Sequence, residues 1–117
     1  MNWTELKEAG QLEIIKAESH QQPVLIFKHS TRCSISRAVL DRLERNWNHT
    51  EFAAIKPYFL DLLAHRSISN QIAADFAIEH ESPQAILIYQ NKPLYAQSHF
   101  GIDLTEINRA ANKTVVS

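Results

Sequence analysis

Ten residues, KHSTRCSISR at positions 28–37, join the end of an apolar run to the start of an amphipathic helical pattern. The run itself, Val24 to Phe27, is short and follows Pro23, which favours a buried strand. Cys33 is the only cysteine of the chain and falls on the first turn of the predicted helix. A lone thiol between a strand end and a helix start favours thiolate chemistry, so this stretch is predicted to hold the functional site.

Composition narrows the class of protein. The 117 residues carry a formal net charge of −1, and 44% of them are hydrophobic, which is typical of one globular domain spanning residues 1–117. Such a charge favours neither a nucleic-acid partner nor a membrane surface, and the apolar runs are too short to cross a bilayer. Glu5 and Glu8 lie where a secretory signal would be basic, so we expect a cytoplasmic protein with a free thiol.

The hydrophobic periodicity outlines four helices and four strands. It predicts helices at about 4–18, 33–47, 67–78 and 104–112, the first capped by Thr4, and strands at about 24–27, 54–63, 85–89 and 94–98. Strands that alternate with helices and end in a hairpin and a helix favour a central mixed sheet of four strands with helices on both faces. This α/β arrangement is that of the thioredoxin-like fold.

Four groups could stabilise a Cys33 thiolate. They are the free amides at the helix start, the guanidinium groups of Arg32 and Arg37, and the hydroxyl of Ser36, which lies three residues on in the same helical turn. His29 is a candidate contributor, because Lys28 and His29 alternate along a strand and at most one of them can lean toward the thiol.

Other interpretations of these residues stay open. A free cysteine is often a buried small hydrophobe, although the serines and arginines around Cys33 speak against a core position. Cys33 with His29, His80 and His99 could form a zinc site if the loops converge, yet no ligand spacing supports it and no metal is expected. Pro83 lies between a predicted helix and a strand, where an ordinary trans peptide is the common case.

Four segments, FKHSTRCSIS, HRSISNQIAADF, HESPQAILI and SHFGI, resemble in order and spacing the YtxJ family of monothiol, glutaredoxin-like proteins of the bacillithiol system. The resemblance runs from about Trp3 to Leu104. It implies a thioredoxin-like fold, a nucleophilic Cys33, a cis peptide at Pro83 facing the thiol, and bacillithiol as the partner thiol. The family often has proline where this chain has Ser34. The iron–sulfur monothiol glutaredoxins have glycine there, so no bound cluster is expected.

The expected function is monothiol disulfide exchange, in which Cys33 takes bacillithiol from protein mixed disulfides. Cys33 and Ser36 are the candidate catalytic residues. The candidate binding residues for the thiol or its client protein are Arg32, Ser34, Arg37, Ser82, Pro83, Ser98 and His99. We expect no bound cofactor, with bacillithiol as co-substrate and bacillithiolated proteins as partners. The alternative is a thioredoxin-fold module that binds or senses without turnover.

Overall fold

The computed structural model describes residues 2–48 and 50–114, and in this part of the chain five strands form one mixed sheet in the order β1-β3-β2-β4-β5. The strands are β1 (Thr4–Glu5), β2 (Val24–His29), β3 (Lys56–Asp61), β4 (Gln84–Tyr89) and β5 (Lys92–Ser98). β1, β3 and β2 run parallel, whereas β4 is antiparallel to β2 and β5 is antiparallel to β4. All six residues of the central strand β2 are buried, the apolar run Val24 to Phe27 and also the polar Lys28 and His29 that follow it.

Two helices cover each face of the sheet. They are α1 (Gln11–Glu18), α2 (Ser34–Asn46), α3 (Arg66–Phe76) and α4 (Leu104–Asn112). Val24 and Ile26 of β2 pack on the side of α1 and α3, while Leu25 and Phe27 pack on the side of α2 and α4. The alternation of β2 therefore builds two cores. Within the described residues, no helix is both long enough and apolar enough to span a bilayer.

The prediction of four strands was wrong, because Thr4–Glu5 forms a fifth strand beside β3 and Thr4 does not cap a helix. The Leu6 amide extends this pairing by donating to the carbonyl of Phe59 at 2.8 Å, and the Leu6 side chain is buried in the core. The side-chain oxygen of Gln11 then accepts two backbone N–H groups of the preceding turn, at 2.7 and 3.0 Å. The first helix consequently begins at Gln11.

A tight hairpin joins β4 to β5. Its turn residues, Gln90 and Asn91, both have positive φ, at 52° and 61°, which matches the twist of two-residue hairpin turns. β5 begins with Lys92 and Pro93 and forms one edge of the sheet. The hairpin returns the chain along β4, so the end of β5 lies beside the start of β4.

Candidate functional site

Cys33 is the N-cap residue of α2, which begins at Ser34, one position later than the predicted start at about residue 33. Its backbone is extended, with φ −107° and ψ 119°, and its N–H donates to the carbonyl of Ser30 at 3.2 Å. Its own carbonyl accepts the N–H of Arg37 at 3.1 Å. The thiol residue is partly exposed and not part of either core. An N-cap side chain lies beside the unpaired amides and the positive end of the helix dipole, which favours an anion there.

A cavity of about 240 Å³ opens at the thiol and is lined by Thr31, Arg32, Cys33, Ser34 and Arg37. The structure thus brings together three predicted binding residues, one on each side of Cys33 and one a turn further along α2. The lining holds two guanidinium groups and no carboxylate. Such a surface suits an anionic partner of the thiol.

The hydroxyl of Ser36 is directed away from the thiol. Ser36 is fully buried, and its Oγ accepts the N–H of Ser30 at 3.0 Å and lies 2.7 Å from Nδ1 of His29. Within residues 2–48 and 50–114 it makes no hydrogen bond to Cys33. The predicted donation to the thiolate is therefore not present in this arrangement, and a catalytic part for Ser36 stays a prediction.

His29 lies on the thiol side of the sheet, as its alternation with Lys28 predicts. Its ring is buried between Phe27 and Phe59, at centroid distances of 6.2 and 5.4 Å. Burial lowers the pKa of His29 below the usual 6.5, and the carboxylate of Asp61 only partly opposes this effect. The imidazole is neutral at pH 7, and its Nδ1 forms one hydrogen bond with the Ser36 hydroxyl.

The later predicted segments, around Pro83 and His99, meet at the C-terminal end of β2. The Ser82–Pro83 peptide is cis, as the family resemblance implies, and the His99 N–H donates to the Pro83 carbonyl at 3.0 Å. Ser98 pairs with Gln84, whose partner on β2 is the residue just before His29. These residues do not line the thiol cavity. Ser82, Pro83, Ser98 and His99 lie beside that cavity, at the end of β2, and are called the neighbouring wall below.

A buried polar cluster on the opposite face was not predicted. Nζ of the fully buried Lys28 donates to the Ser69 carbonyl at 3.2 Å and lies 3.4 Å from Nδ1 of His80. Burial lowers the pKa of Lys28 to about 8 and that of His80 below 6.5. The signal available in the sequence was a lysine directly after the apolar run Val24 to Phe27.

The conceivable zinc ligands are separated by the sheet. His29 bonds Ser36 on the α2 side, whereas His80 bonds Lys28 on the α3 side, and His99 lies 3.8 Å from a carboxylate oxygen of Glu81. In the described ranges no three His, Cys, Asp or Glu side chains are arranged to hold a metal ion.

Comparison with known families and structures agrees with this geometry. The family model for the monothiol bacilliredoxin BrxC matches residues 4–107. A candidate oxidoreductase with a thioredoxin fold superposes with a TM-score of 0.77 at 26% identity, covering 91% of this chain and 90% of its own. These matches support a thiol-disulfide redox function.

Thioredoxins share the fold at lower identity. Spinach chloroplast thioredoxin f gives a TM-score of 0.73 at 16% identity, covering 95% of this chain and 87% of its own. Thioredoxin from Trypanosoma brucei brucei gives 0.71 at 12%, covering 99% and 93%. The predicted thioredoxin-like fold is thus confirmed, with a sheet of five strands among the described residues.

Proposed function

The chain belongs to the monothiol bacilliredoxin family, and from this premise we propose that Cys33 removes bacillithiol from protein mixed disulfides. The observation that carries the proposal is a partly exposed thiol at a helix N-cap, inside a cavity lined by Arg32 and Arg37. The helix amides stabilise a thiolate, and the guanidinium groups suit the carboxylates of bacillithiol.

The reaction has two exchange steps. The Cys33 thiolate attacks the bacillithiol sulfur of the mixed disulfide, so that a bond forms between these sulfurs while the client–bacillithiol bond breaks. The client sulfur leaves as a thiolate and takes a proton from water. Because the chain has no second cysteine, a further low-molecular-weight thiol must attack the adduct and release Cys33. Overall, the client cysteine is reduced and the second small thiol is oxidised, while bacillithiol passes from a disulfide with the client to a disulfide with that thiol.

The neighbouring wall is the proposed contact for the rest of the bound disulfide. Ser82 Oγ is buried and has no hydrogen-bond partner among the described residues, although buried hydroxyls normally have one. A bound thiol or client backbone that reaches this hydroxyl would supply the missing partner. Ser98 and His99 lie next to Pro83 through strand pairing and the His99 N–H bond, so they would contact the same ligand.

The test is a purified client protein that carries bacillithiol on one cysteine. Intact-protein mass spectrometry follows the client and this protein together, with Cys33→Ala as the matched control. We expect the bacillithiol mass to leave the client and appear on Cys33 before a small thiol is added. If release is equally fast with Cys33→Ala, or occurs without an adduct on Cys33, the proposed enzymatic activity is refuted. A binding or sensing module is then favoured.

A second arm tests the choice of thiol. The same client is capped with glutathione, which lacks the sugar and the malate of bacillithiol. Faster removal of bacillithiol is expected. Because glutathione also carries carboxylates, Arg32→Gln should slow the removal of both adducts. Equal rates on both adducts would contradict a bacillithiol-specific function and leave general monothiol exchange.

A further inference from the structure

One buried hydroxyl ties together the strand, the turn and the helix that place the thiol. Ser36 Oγ, on α2, accepts the N–H of Ser30 at 3.0 Å and lies 2.7 Å from Nδ1 of His29 at the end of β2. Ser30 also accepts the N–H of Cys33 through its carbonyl, at 3.2 Å. The hydroxyl thus bonds Ser30, the residue that begins the turn and accepts from Cys33 at its other end.

Counting hydrogens assigns the direction of the bond between Ser36 and His29. The hydroxyl has one proton, and it already accepts from Ser30. If Nδ1 carried the ring proton, it would donate to Oγ, and the hydroxyl proton would have no acceptor in the described chain. An unsatisfied donor in a fully buried residue is costly. When Nδ1 is bare, it accepts that proton, and the Ser36 hydroxyl is satisfied both as donor and as acceptor.

We propose that His29 is a positioning residue for the thiol: its bare Nδ1 accepts the Ser36 hydroxyl proton and so fixes the turn that carries Cys33. The proposal rests on the proposed function only in taking Cys33 as the attacking thiol. It names no client and no particular small thiol, so it is testable with a plain disulfide.

The protonation of His29 governs this bond. The charged groups that act on the ring are Asp61 at the end of β3 and Arg37, Asp41 and Glu44 on α2, and the three carboxylates favour the protonated ring. Burial outweighs them, so the pKa of His29 is lowered and the ring is an acceptor at pH 7. In acid both ring nitrogens become donors, so Nδ1 donates to the Ser36 oxygen and the hydroxyl proton is left without an acceptor.

The probe is 4,4′-dithiodipyridine, followed by the absorbance of the released thiopyridone. The Cys33 thiolate attacks one sulfur and a protein–probe disulfide forms, while the probe's S–S bond breaks and its other half leaves reduced. Rates are divided by the thiolate fraction, which is measured in the same samples by ultraviolet absorbance. This correction removes any change in thiol ionisation.

Three variants separate the effect of the hydrogen bond between His29 and Ser36 from the effect of side-chain size. His29→Phe keeps an aromatic ring without an acceptor, Ser36→Ala removes the donor, and His29→Asn offers an oxygen near the Nδ1 position that does not titrate. We expect His29→Phe, Ser36→Ala and their double variant to react about 2- to 10-fold more slowly than wild type, all three equally. His29→Asn should recover most of the rate at about pH 7.5.

The pH dependence of the corrected rate distinguishes positioning by His29 from a purely structural role, which would not depend on its protonation. The ratio of the wild-type rate to the His29→Asn rate should fall on acidification below about pH 6.5. A ratio that is flat with pH, a wild-type rate in His29→Phe, or losses that multiply in the double variant would each overturn the proposal. If His29→Phe does not fold, as judged by its melting curve, the wild-type and His29→Asn profiles decide alone.

Discussion

Lys28→Met should change how the stability of the protein depends on alkaline pH. Lys28 is fully buried, its hydrogen-bond partners are neutral, and burial lowers its pKa from 10.5 to about 8. Below pH 8 the amine is charged in both the folded and unfolded chains, so the folded state carries the whole desolvation cost. Above 10.5 it is neutral in both, and the cost is gone. At 1.36 kcal/mol per pKa unit the difference is about 3 kcal/mol.

The sign follows from proton counting. Between pH 8 and 10.5 the unfolded chain binds more protons at Lys28 than the folded chain, so the free energy of unfolding rises with pH. Buried Tyr58 and half-buried Tyr95 act the other way, because desolvation raises their pKa and the unfolded chain loses their protons first. The quantity to compare is therefore the free energy of unfolding of wild type minus that of Lys28→Met, measured at each pH.

Urea unfolding at about pH 7.5 and about pH 10 measures this difference. From about pH 7.5 to about pH 10 we expect this difference to rise in favour of wild type by about 2 to 3 kcal/mol. Lys92→Met, at an exposed lysine of β5, is the matched control and should show no such movement. A wild-type minus Lys28→Met difference that stays constant with pH would refute a buried amine with a lowered pKa.

Three further predictions concern a cap, the cavity and acid stability. Asp103→Ala should lower the free energy of unfolding by about 1 kcal/mol, because the Asp103 carboxylate caps α4; an unfolding curve equal to that of Asp103→Asn would contradict the cap. Arg32→Gln and Arg37→Gln should slow the reaction of Cys33 with an anionic disulfide more than with a neutral one, an effect that salt weakens, and stopped-flow rates that fall equally would argue against charge recognition. His29 and His80 have pKa values lowered by burial, so the unfolded chain takes up their protons first and stability should fall as pH drops below about 6.5. A double asparagine variant should flatten this dependence in melting curves, and an unchanged slope would count against it.

Local patterns predicted the elements whose signal lies within a few residues. α4 has the predicted bounds, 104–112, because its apolar face and its capping aspartate are both local. The alternation of β2 also placed Lys28 and His29 on opposite faces correctly. In the site, the same local reasoning brought Arg32 and Arg37 to Cys33, since all three belong to one turn and the start of one helix.

Contacts between distant segments could not be predicted in this way. β1 has two residues, too few for any periodicity, and exists because β3 offers backbone partners about fifty residues later. The bond between Ser36 and His29 depends on the angle at which α2 leaves β2, which residue spacing does not give. The Lys28–His80 contact spans 52 positions.

The two edges of the sheet bear on how the protein behaves at high concentration. At one edge β1 offers only two residues, and at the other β5 begins with a lysine and a proline. A short strand, a charged side chain and a residue without an amide proton each hinder the pairing of a strand from another molecule. Edge-to-edge aggregation of folded copies is therefore disfavoured, although β2 and β4 each contain a run of four or five apolar residues.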